Sequence, residues 1–352
     1  MNRPLRWVLV GASDIAATRV IPAMRALGQE PVAVFSGSPE RGRRFAGRHQ
    51  VPVAARTLDE ALSVPADAVY ISTTNELHHE QAVAAAAAGR HVLCEKPLAM
   101  TLDDAADIVR AARTAGVVLG THHHLRASPV IRSIQKMVAG GHVGRPLAVR
   151  VHHAVELPQR LRGWRLKNPV AGGGVVFDIT VHDADALRFV LGREVLDVTA
   201  TAVNQGLAVP GVEDAVMAVL RLEDDVLACA HDAFTVPHAG TALEVHGTDA
   251  SLFATDAMTQ DPDGEVVLRR GGSTVPVDVG PRDDLYVTGL RAFADAVHGE
   301  GTPLATGADG FASLAVALAV RDALRTGTRT PVTPVTPVTP VTPVSSLEGE
   351  TP

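Results

Sequence analysis

Short apolar runs alternate with amphipathic helical patterns over about the first 120 residues of the chain. An apolar run at residues 6–10 predicts a buried strand, and residues 14–27 carry a helical pattern. Further strands are predicted at residues 31–35, 68–72, 91–94 and 117–120, and further helices at residues 40–49, 58–62, 76–88 and 102–115. This alternation predicts an α/β domain over residues 1–121, with a doubly wound parallel sheet covered by helices on both faces.

The rhythm changes after about residue 122, where strand patterns follow one another with few helices between them. Strands are predicted at residues 146–155, 195–203, 215–222, 226–234, 241–245 and 265–269, and helices at residues 129–139, 178–191, 285–297 and 308–324. Such runs of strands predict an α+β domain over residues 122–329 with an open, mostly antiparallel sheet. The last two helices are expected to close this domain, and the outer face of its sheet is the expected contact surface of a homo-oligomer.

A three-residue Pro-Val-Thr repeat begins near the C-terminus at Pro331. The repeat has no large apolar side chain with which to build a core. Residues 330–352 are therefore predicted to form a disordered, polyproline-type tail, with a docking segment for another protein as the alternative.

Composition narrows the class of protein. The 352 residues carry 32 basic and 39 acidic side chains, a net charge of −7, which disfavours a nucleic-acid partner. No run approaches the roughly 20 apolar residues of a membrane span, and Asp14 ends the N-terminal apolar run too early for a signal peptide. The two cysteines, Cys94 and Cys229, cannot form a disulfide framework, so a reducing compartment, the cytoplasm, is expected.

The first predicted strand leads into a small-residue loop made of Gly11, Ala12, Ser13, Asp14, Ile15 and Ala16. Gly11 permits a tight turn, and Ala16 is small enough for the following helix to pack against the strand. The helix N-terminus then offers backbone N–H groups to a pyrophosphate. This position favours a Rossmann dinucleotide-binding domain over a plain strand–helix turn.

The end of the second predicted strand indicates which dinucleotide is bound. NAD-specific sheets commonly carry Asp or Glu there, whereas this chain has Ser36 and Gly37, followed by Arg41. A hydroxyl and a guanidinium group bind a 2′-phosphate that a carboxylate would repel. NADP(H) is therefore predicted over NAD(H); the alternative is that the arginines only form an exposed helix face.

Three residues are candidates for the chemistry. Lys96 follows the strand at residues 91–94, beside the crevice where parallel sheets bind ligands, and Lys-Pro raises the chance of a cis peptide. Asp178 and His182 are four residues apart and are expected on one helix face, where the carboxylate can orient the imidazole. A structural role for His182 alone is the alternative, which the nucleotide loop and Lys96 make less favourable.

These motifs, Glu95-Lys96-Pro97 and Asp178-x-x-x-His182, occur in the order of the two predicted domains. With them, the sequence resembles the Gfo/Idh/MocA family of sugar oxidoreductases over roughly residues 5–328. The resemblance implies NADPH-dependent reduction of a small keto sugar at its C2 ketone, with a fructose-derived substrate favoured by residues 11–13 and 72–78. Another sugar or inositol dehydrogenase, and a non-catalytic NADP-binding regulator, remain alternatives.

The resemblance also implies roles for individual residues. His182 would donate the proton with help from Asp178, and Lys96 would stabilise charge on the carbonyl oxygen. Cofactor contacts are implied for Gly11, Ala12, Ser13, Asp14, Ile15, Ser36, Gly37, Arg41, Ser72, Thr73, Thr74, Asn75, Glu76, Leu77, His78, Glu95, Lys96, His122, Trp164, Arg165 and Tyr286. His122 stands where Asn is expected in the relatives with this substrate.

Histidine clusters at residues 78–79, 122–124 and 152–153 raise the question of a metal site. Successive side chains of a strand face opposite sides, so such histidines are not expected to meet at one ion. No Cys or carboxylate stands at a matching zinc spacing, and no metal is predicted.

Overall fold

The computed structural model describes residues 3–334, and most of the predicted tail, from residue 335 onward, lies outside the described residues. Six parallel strands form the first sheet in the order β3-β2-β1-β4-β5-β6. They are β1 (Arg6–Val10), β2 (Glu30–Phe35), β3 (Val53–Ala55), β4 (Ala68–Ile71), β5 (His91–Glu95) and β6 (Leu119–His122). The doubly wound sheet is confirmed, although β3 was missed because three small residues at a sheet edge carry no periodic pattern.

Helices cover both faces of this sheet. They are α1 (Ile21–Ala26), α2 (Pro39–His49), α3 (Leu58–Ser63), α4 (His78–Ala87) and α5 (Leu102–Ala115). The structure differs from the single helix predicted over residues 14–27, because Ala16–Val20 forms a π-helical segment before α1 begins. Such segments occur frequently at functional sites.

Nine strands form the second sheet, in the order β14-β13-β12-β11-β7-β10-β9-β8-β15. They are β7 (Pro146–Ala154), β8 (Val195–Val203), β9 (Ala215–Leu222), β10 (Leu227–Ala233), β11 (Ala242–Gly247), β12 (Ser251–Thr255), β13 (Glu265–Arg270), β14 (Ser273–Val277) and β15 (Thr330–Pro331). All neighbours are antiparallel except β7 and β10, so the mostly antiparallel open sheet is confirmed.

Three strands of this sheet were not predicted. Strand β12 is a short stretch after a tight turn, and β14 is an edge strand that contains a proline and is almost wholly exposed. Strand β15 pairs Thr330 with Val198, so the second sheet includes the start of the segment predicted as tail. Backbone pairing at the sheet edge overrides the weak strand propensity of the repeat there.

The helices of the second half are α6 (Pro129–Ala139), α7 (Trp164–Lys167), α8 (Val181–Leu191), α9 (Leu285–Val297) and α10 (Gly307–Thr326). Helix α9 was expected to close the second domain, but it packs on the first. Its Leu285, Leu290 and Phe293 share an apolar core with Trp7, whose ring centroid lies 5.3 Å from that of Phe293. The apolar face of α9 packs against the first sheet. The hydrophobic pattern of the helix predicts that this face is buried, but not which sheet buries it.

Helix α10 packs against β6 of the first sheet and β8 of the second, and so contacts both sheets. The outer face of the second sheet presents apolar side chains to solvent, including Met217 at 60% and Leu227 at 53% exposure. The homo-oligomer contact through this face stays a prediction. Between residues 3 and 334, no helix combines the length and hydropathy that a membrane crossing requires.

Candidate active site

The loop after β1 is shaped by one glycine. Gly11 has a φ of +116°, and a Cβ atom there would lie 2.8 Å from the carbonyl carbon and oxygen of Ser72. The hydroxyls of Ser13 and Ser72 are 2.7 Å apart, and Ser13 Oγ also accepts a bond from the Ala16 backbone N–H at 3.1 Å. The end of β1 therefore approaches the end of β4 closely and leaves small polar groups where a pyrophosphate would lie.

Arg41 is held over the end of β2. Its Nε donates to Ser36 Oγ at 3.0 Å, and within residues 3–334 its guanidinium meets no carboxylate. Ser38 caps α2 by accepting from the Arg41 backbone N–H at 3.3 Å, which fixes the start of the helix. This donor set fits the additional phosphate of NADP(H).

Side-chain hydrogen bonds hold the loop of residues 72–77, which follows β4, in place. Thr73 Oγ1 donates to Gln81 at 2.7 Å, Thr74 Oγ1 donates to Glu76 at 2.9 Å, and the buried Asn75 amide approaches the Gly172 carbonyl at 3.5 Å. The Asn75 contact joins the loop to the glycine-rich segment of the second domain, whereas the two threonine bonds are local.

His78 differs from its predicted role as a cofactor contact. Its side chain is fully buried, and Nδ1 lies 2.8 Å from the Pro97 carbonyl oxygen. The ring therefore supports the loop that follows β5 from beneath. The first turn of α4 directs it into the core, which its place in the motif did not show.

Lys96 and Asp178 form the centre of the candidate site. Lys96 Nζ donates to the Asp178 backbone oxygen at 2.7 Å and to Oδ1 at 3.0 Å, while Arg165 Nε donates to Oδ2 at 3.0 Å. Burial alone would raise the pKa of Asp178, but the Arg165 guanidinium and the Lys96 ammonium hold it well below its usual range. The Lys96–Pro97 peptide bond is cis, as the sequence predicted.

Asp178 does not orient His182, in contrast to the prediction. Its carboxylate oxygens bond to Lys96 and Arg165, and His182 Nδ1 is buried with no hydrogen-bond partner among the described residues. Asp178 lies in a π-helical segment, Val176–Thr180, where the N–H bonds reach one residue farther back than in an α-helix. The α-helical spacing of four residues therefore does not place the two side chains together.

His182 is surrounded by other histidines. Its ring centroid lies 4.9 Å from that of His124, 5.7 Å from His123 and 6.4 Å from His153. Burial, together with the Lys96 charge and the neighbouring rings, holds the pKa of His182 well below its usual range. Its imidazole is therefore neutral at pH 7 in the protein without ligands.

The run at residues 122–124 departs from strand geometry because β6 ends at His122. His123 and His124 both face His182, so the expectation that successive side chains diverge is wrong here. No group of three or more residues in the described part of the chain has the arrangement of a metal site.

His122 and Tyr286, both predicted as cofactor contacts, are buried in the protein interior. His122 Nδ1 is 2.7 Å from Glu95 Oε1, which also accepts from the Tyr70 hydroxyl at 2.6 Å. Burial opposes ionisation, but His122 and Tyr70 lower the pKa of Glu95 to about 2. Tyr286 is 1% exposed and stacks on His124, so it supports the site rather than lining an open cleft.

Segments of the second domain reach across the cleft to the nucleotide loop. Arg160 Nε lies 3.2 Å from Asp14 Oδ2, and the Arg165 guanidinium lies 4.8 Å from the ring centroid of Trp164. Arg165 thus joins Trp164 to Asp178, and the place of these two residues over the nicotinamide stays a prediction.

Three residues near His182 were not predicted as site residues: His153, Asp183 and Asp232. His153 Nδ1 lies 2.7 Å from Asp183 Oδ1, and both carboxyl groups are buried. The signals in the sequence were the histidine pair at residues 152–153, considered only for a metal, and the acidic residue directly after His182; the pairing of β7 with β10 depends on the fold.

Two family models match the chain. The first, an oxidoreductase family with an NAD-binding Rossmann fold, matches residues 5–123, and the second, a Gfo/Idh/MocA C-terminal domain, matches residues 131–253. Together they cover most of the two sheets described above.

Relatives and solved structures agree with this assignment. The chain is 52% identical to the 1,5-anhydro-D-fructose reductase of Ensifer adhaerens, over 92% of this chain and 97% of that protein. It is 30% identical to a D-xylose 1-dehydrogenase (NADP(+)) of Haloferax volcanii, over 84% and 90% of the two chains. The crystal structure of an aldose-aldose oxidoreductase from Caulobacter crescentus superposes with a TM-score of 0.85 at 25% identity, covering 94% and 100% of the chains. The chain therefore belongs to the Gfo/Idh/MocA family of oxidoreductases.

Proposed function

We propose that the protein reduces the C2 ketone of 1,5-anhydro-D-fructose to 1,5-anhydro-D-mannitol with NADPH. The observation that carries the proposal is the position of Lys96, held by Asp178, next to His182 in the cleft between the nucleotide loop and the second sheet. The relative of Ensifer adhaerens, which carries this activity in its name, supports the choice of sugar.

NADPH is proposed over NADH because of the end of β2. Arg41 is bonded there to the Ser36 hydroxyl and faces no carboxylate within residues 3–334. A guanidinium group binds a phosphate through charge-assisted hydrogen bonds, whereas the ribose hydroxyl of NADH offers no charge to bind. Bound NADPH supplies the hydride for the carbonyl carbon.

The protein's own residues act on the carbonyl oxygen, where negative charge develops. The Lys96 ammonium is the charged donor, and its two bonds to Asp178 fix its position before the sugar arrives. The His182 ring is neutral before the sugar reacts, so it first acts as an N–H hydrogen-bond donor to the same oxygen. The growing alkoxide then favours transfer of a proton from these donors.

The neutral His182 refines the proton-donor role that the sequence predicted. An imidazolium is the stronger acid, but burial and Lys96 disfavour it before substrate binds. Lys96 therefore shares the acid role, and Asp178 acts on Lys96 rather than on His182.

We place the protein in the cytoplasm with a small keto sugar as its partner. The support for this location is the unpaired state of both cysteines, Cys94 in the core and Cys229 at the surface.

The test is an absorbance assay of NADPH and NADH oxidation with a panel of keto sugars, and of NADP⁺ and NAD⁺ reduction with polyols, xylose and inositols. Turnover of 1,5-anhydro-D-fructose with NADPH, with the mannitol configuration at C2 by NMR, is expected. Faster turnover of an inositol or a pentose would assign another activity of the family. Turnover of none, with tight NADPH binding retained, would identify a non-catalytic regulator.

A further inference from the structure

Two buried carboxyl groups near His182 have no part in the chemistry described above. Asp183, in α8, is 1% exposed and Asp232, in β10, is 0% exposed. Within residues 3–334, neither forms an ion pair with Lys or Arg, and the Thr180 hydroxyl donates to Asp232 Oδ2 at 2.5 Å. Two uncompensated negative charges at this depth would be strongly unfavourable.

The fold brings the two groups together at His153: Asp232 stands opposite His153 in the β10–β7 pair, and His153 Nδ1 lies 2.7 Å from Asp183 Oδ1. Asp183 Oδ2 and Asp232 Oδ1 are buried and have no hydrogen-bond partner in the described part of the chain. A proton shared between these two oxygens satisfies both and removes one charge. Burial raises the pKa of Asp183 to about 7, and burial with the charge of Asp183 raises that of Asp232 well above its usual range.

The remaining contact of the pair is His153 in β7. Its Nδ1 lies 2.7 Å from Asp183 Oδ1, and burial lowers its pKa to about 4, so the ring is neutral at pH 7. With the shared proton between Asp183 Oδ2 and Asp232 Oδ1, Asp183 Oδ1 is left as an acceptor, which places the single N–H of the neutral ring on Nδ1. Nε2 then carries a lone pair, and its ring lies beside that of His182.

We infer that Asp183 and Asp232 are positioning residues that share one proton and hold His153 as its Nδ1–H tautomer, so that His153 Nε2 accepts a hydrogen bond from a sugar hydroxyl. The inference rests on the proposed function, because it assigns a second contact to the same polyhydroxylated substrate. His182 and Lys96 donate to the carbonyl oxygen, whereas His153 accepts from a neighbouring hydroxyl. A ketone without that hydroxyl would leave a buried acceptor unpaired, so the pair contributes to substrate choice.

Variants at Asp232 separate this arrangement from a purely structural one. In Asp232→Asn, the amide N–H replaces the shared proton, so the Nδ1–H tautomer of His153 is retained. In Asp232→Leu, Asp183 takes up a proton itself and has only His153 Nδ1 to receive it. The tautomer is then expected to change to Nε2–H, which replaces the acceptor in the cleft by a donor.

Nitrogen-15 NMR of the ligand-free protein, labelled at histidine, measures this directly, with His153→Gln to assign the resonances by their loss. Wild type and Asp232→Asn are expected to show the Nδ1–H form, and Asp232→Leu the Nε2–H form. An Nε2–H tautomer or an imidazolium in the wild type at pH 7 would overturn the inference, even if Asp232→Leu does not fold. This measurement needs no sugar, so its result is independent of whether the proposed reaction is correct.

Kinetics with the best sugar of the panel provide the second arm. Asp232→Leu is expected to raise the KM for sugar about 10-fold, the loss of one ordinary hydrogen bond, with the KM for NADPH unchanged. Asp232→Asn should stay within about twofold of wild type. The control is Asp214→Asn, another fully buried carboxyl group, which accepts from the backbone of Gln205, Leu207 and Ala208 and should leave His153 unchanged even if stability falls. Equal loss in both Asp232 variants, with no tautomer change, would show that the pair is only structural.

Discussion

At the nucleotide end, the groups proposed to select the cofactor lie close together in the chain, directly after β2 and in the first turn of α2. At the sugar end, Lys96, Asp178, His182 and His153 come from separate elements and meet only in the folded protein. A local motif fixes geometry through backbone conformation, as Gly11 does at its φ of +116°. An assembled site depends instead on burial and neighbouring charge, and these set its protonation states.

The largest expected effect is at the sugar end. Lys96→Met removes the ammonium group that Asp178 holds in place, and we expect kcat to fall about 1000-fold, as for loss of a preorganised oxyanion donor. The KM for NADPH should change little. Lys136→Met, an exposed lysine of α6, is the matched control and should retain full activity. A small loss at Lys96 would mean that His182 alone stabilises the oxyanion.

His182→Ala should lower kcat about 100-fold and leave NADPH affinity nearly unchanged. Because the ring is neutral before substrate binds, His182→Gln retains an N–H donor and should keep part of the activity that the alanine variant loses. Steady-state rates and fluorescence titration of NADPH measure the two quantities. An alanine variant as active as wild type would remove His182 from the reaction.

At the nucleotide end, Arg41→Glu places a carboxylate beside the adenosine phosphate. The KM for NADPH should rise about 30-fold and that for NADH by less than threefold, since loss of a charge-assisted bond costs about 2 kcal/mol. Arg48→Glu, an exposed residue in the last turn of the same helix, controls for charge alone. Equal changes with both cofactors would contradict the NADP assignment.

The smallest effect concerns stability rather than rate. Glu95 has an ordinary pKa of 4.5 that falls to about 2 in the folded protein, so its ionised form stabilises the fold. That contribution is complete above about pH 5 and is lost as the pH falls through the window from 4.5 towards 2. Glu95→Gln should therefore lower the Tm by a few degrees at pH 7, and the difference from wild type should shrink at pH 3. If the difference in Tm between Glu95→Gln and wild type is the same at every pH, the lower stability of the variant comes from packing alone.

The same contrast explains what the sequence could predict. Both sheets, the cis peptide and most helix bounds follow from periodicity and local motifs, and α5, α6 and α9 end at the predicted residues. The π-helical segments, the packing of α9 and the contacts of Asp178 do not, because they depend on which distant surfaces meet. The Asp183–Asp232 pair lies in this second class, since no spacing along the chain brings α8 and β10 together.

Helix α9 has a consequence for synthesis of the chain. Trp7 lies in the first strand, yet the apolar surface that covers it arrives with Phe293, near the end of the described residues. While the ribosome is still translating the second sheet, that face of the nucleotide domain remains uncovered and open to chaperones or to aggregation. A fragment of residues 1–121 would keep this exposed surface. Trp7 is one of only two tryptophans, so the change in its fluorescence reports when the two ends of the chain come together.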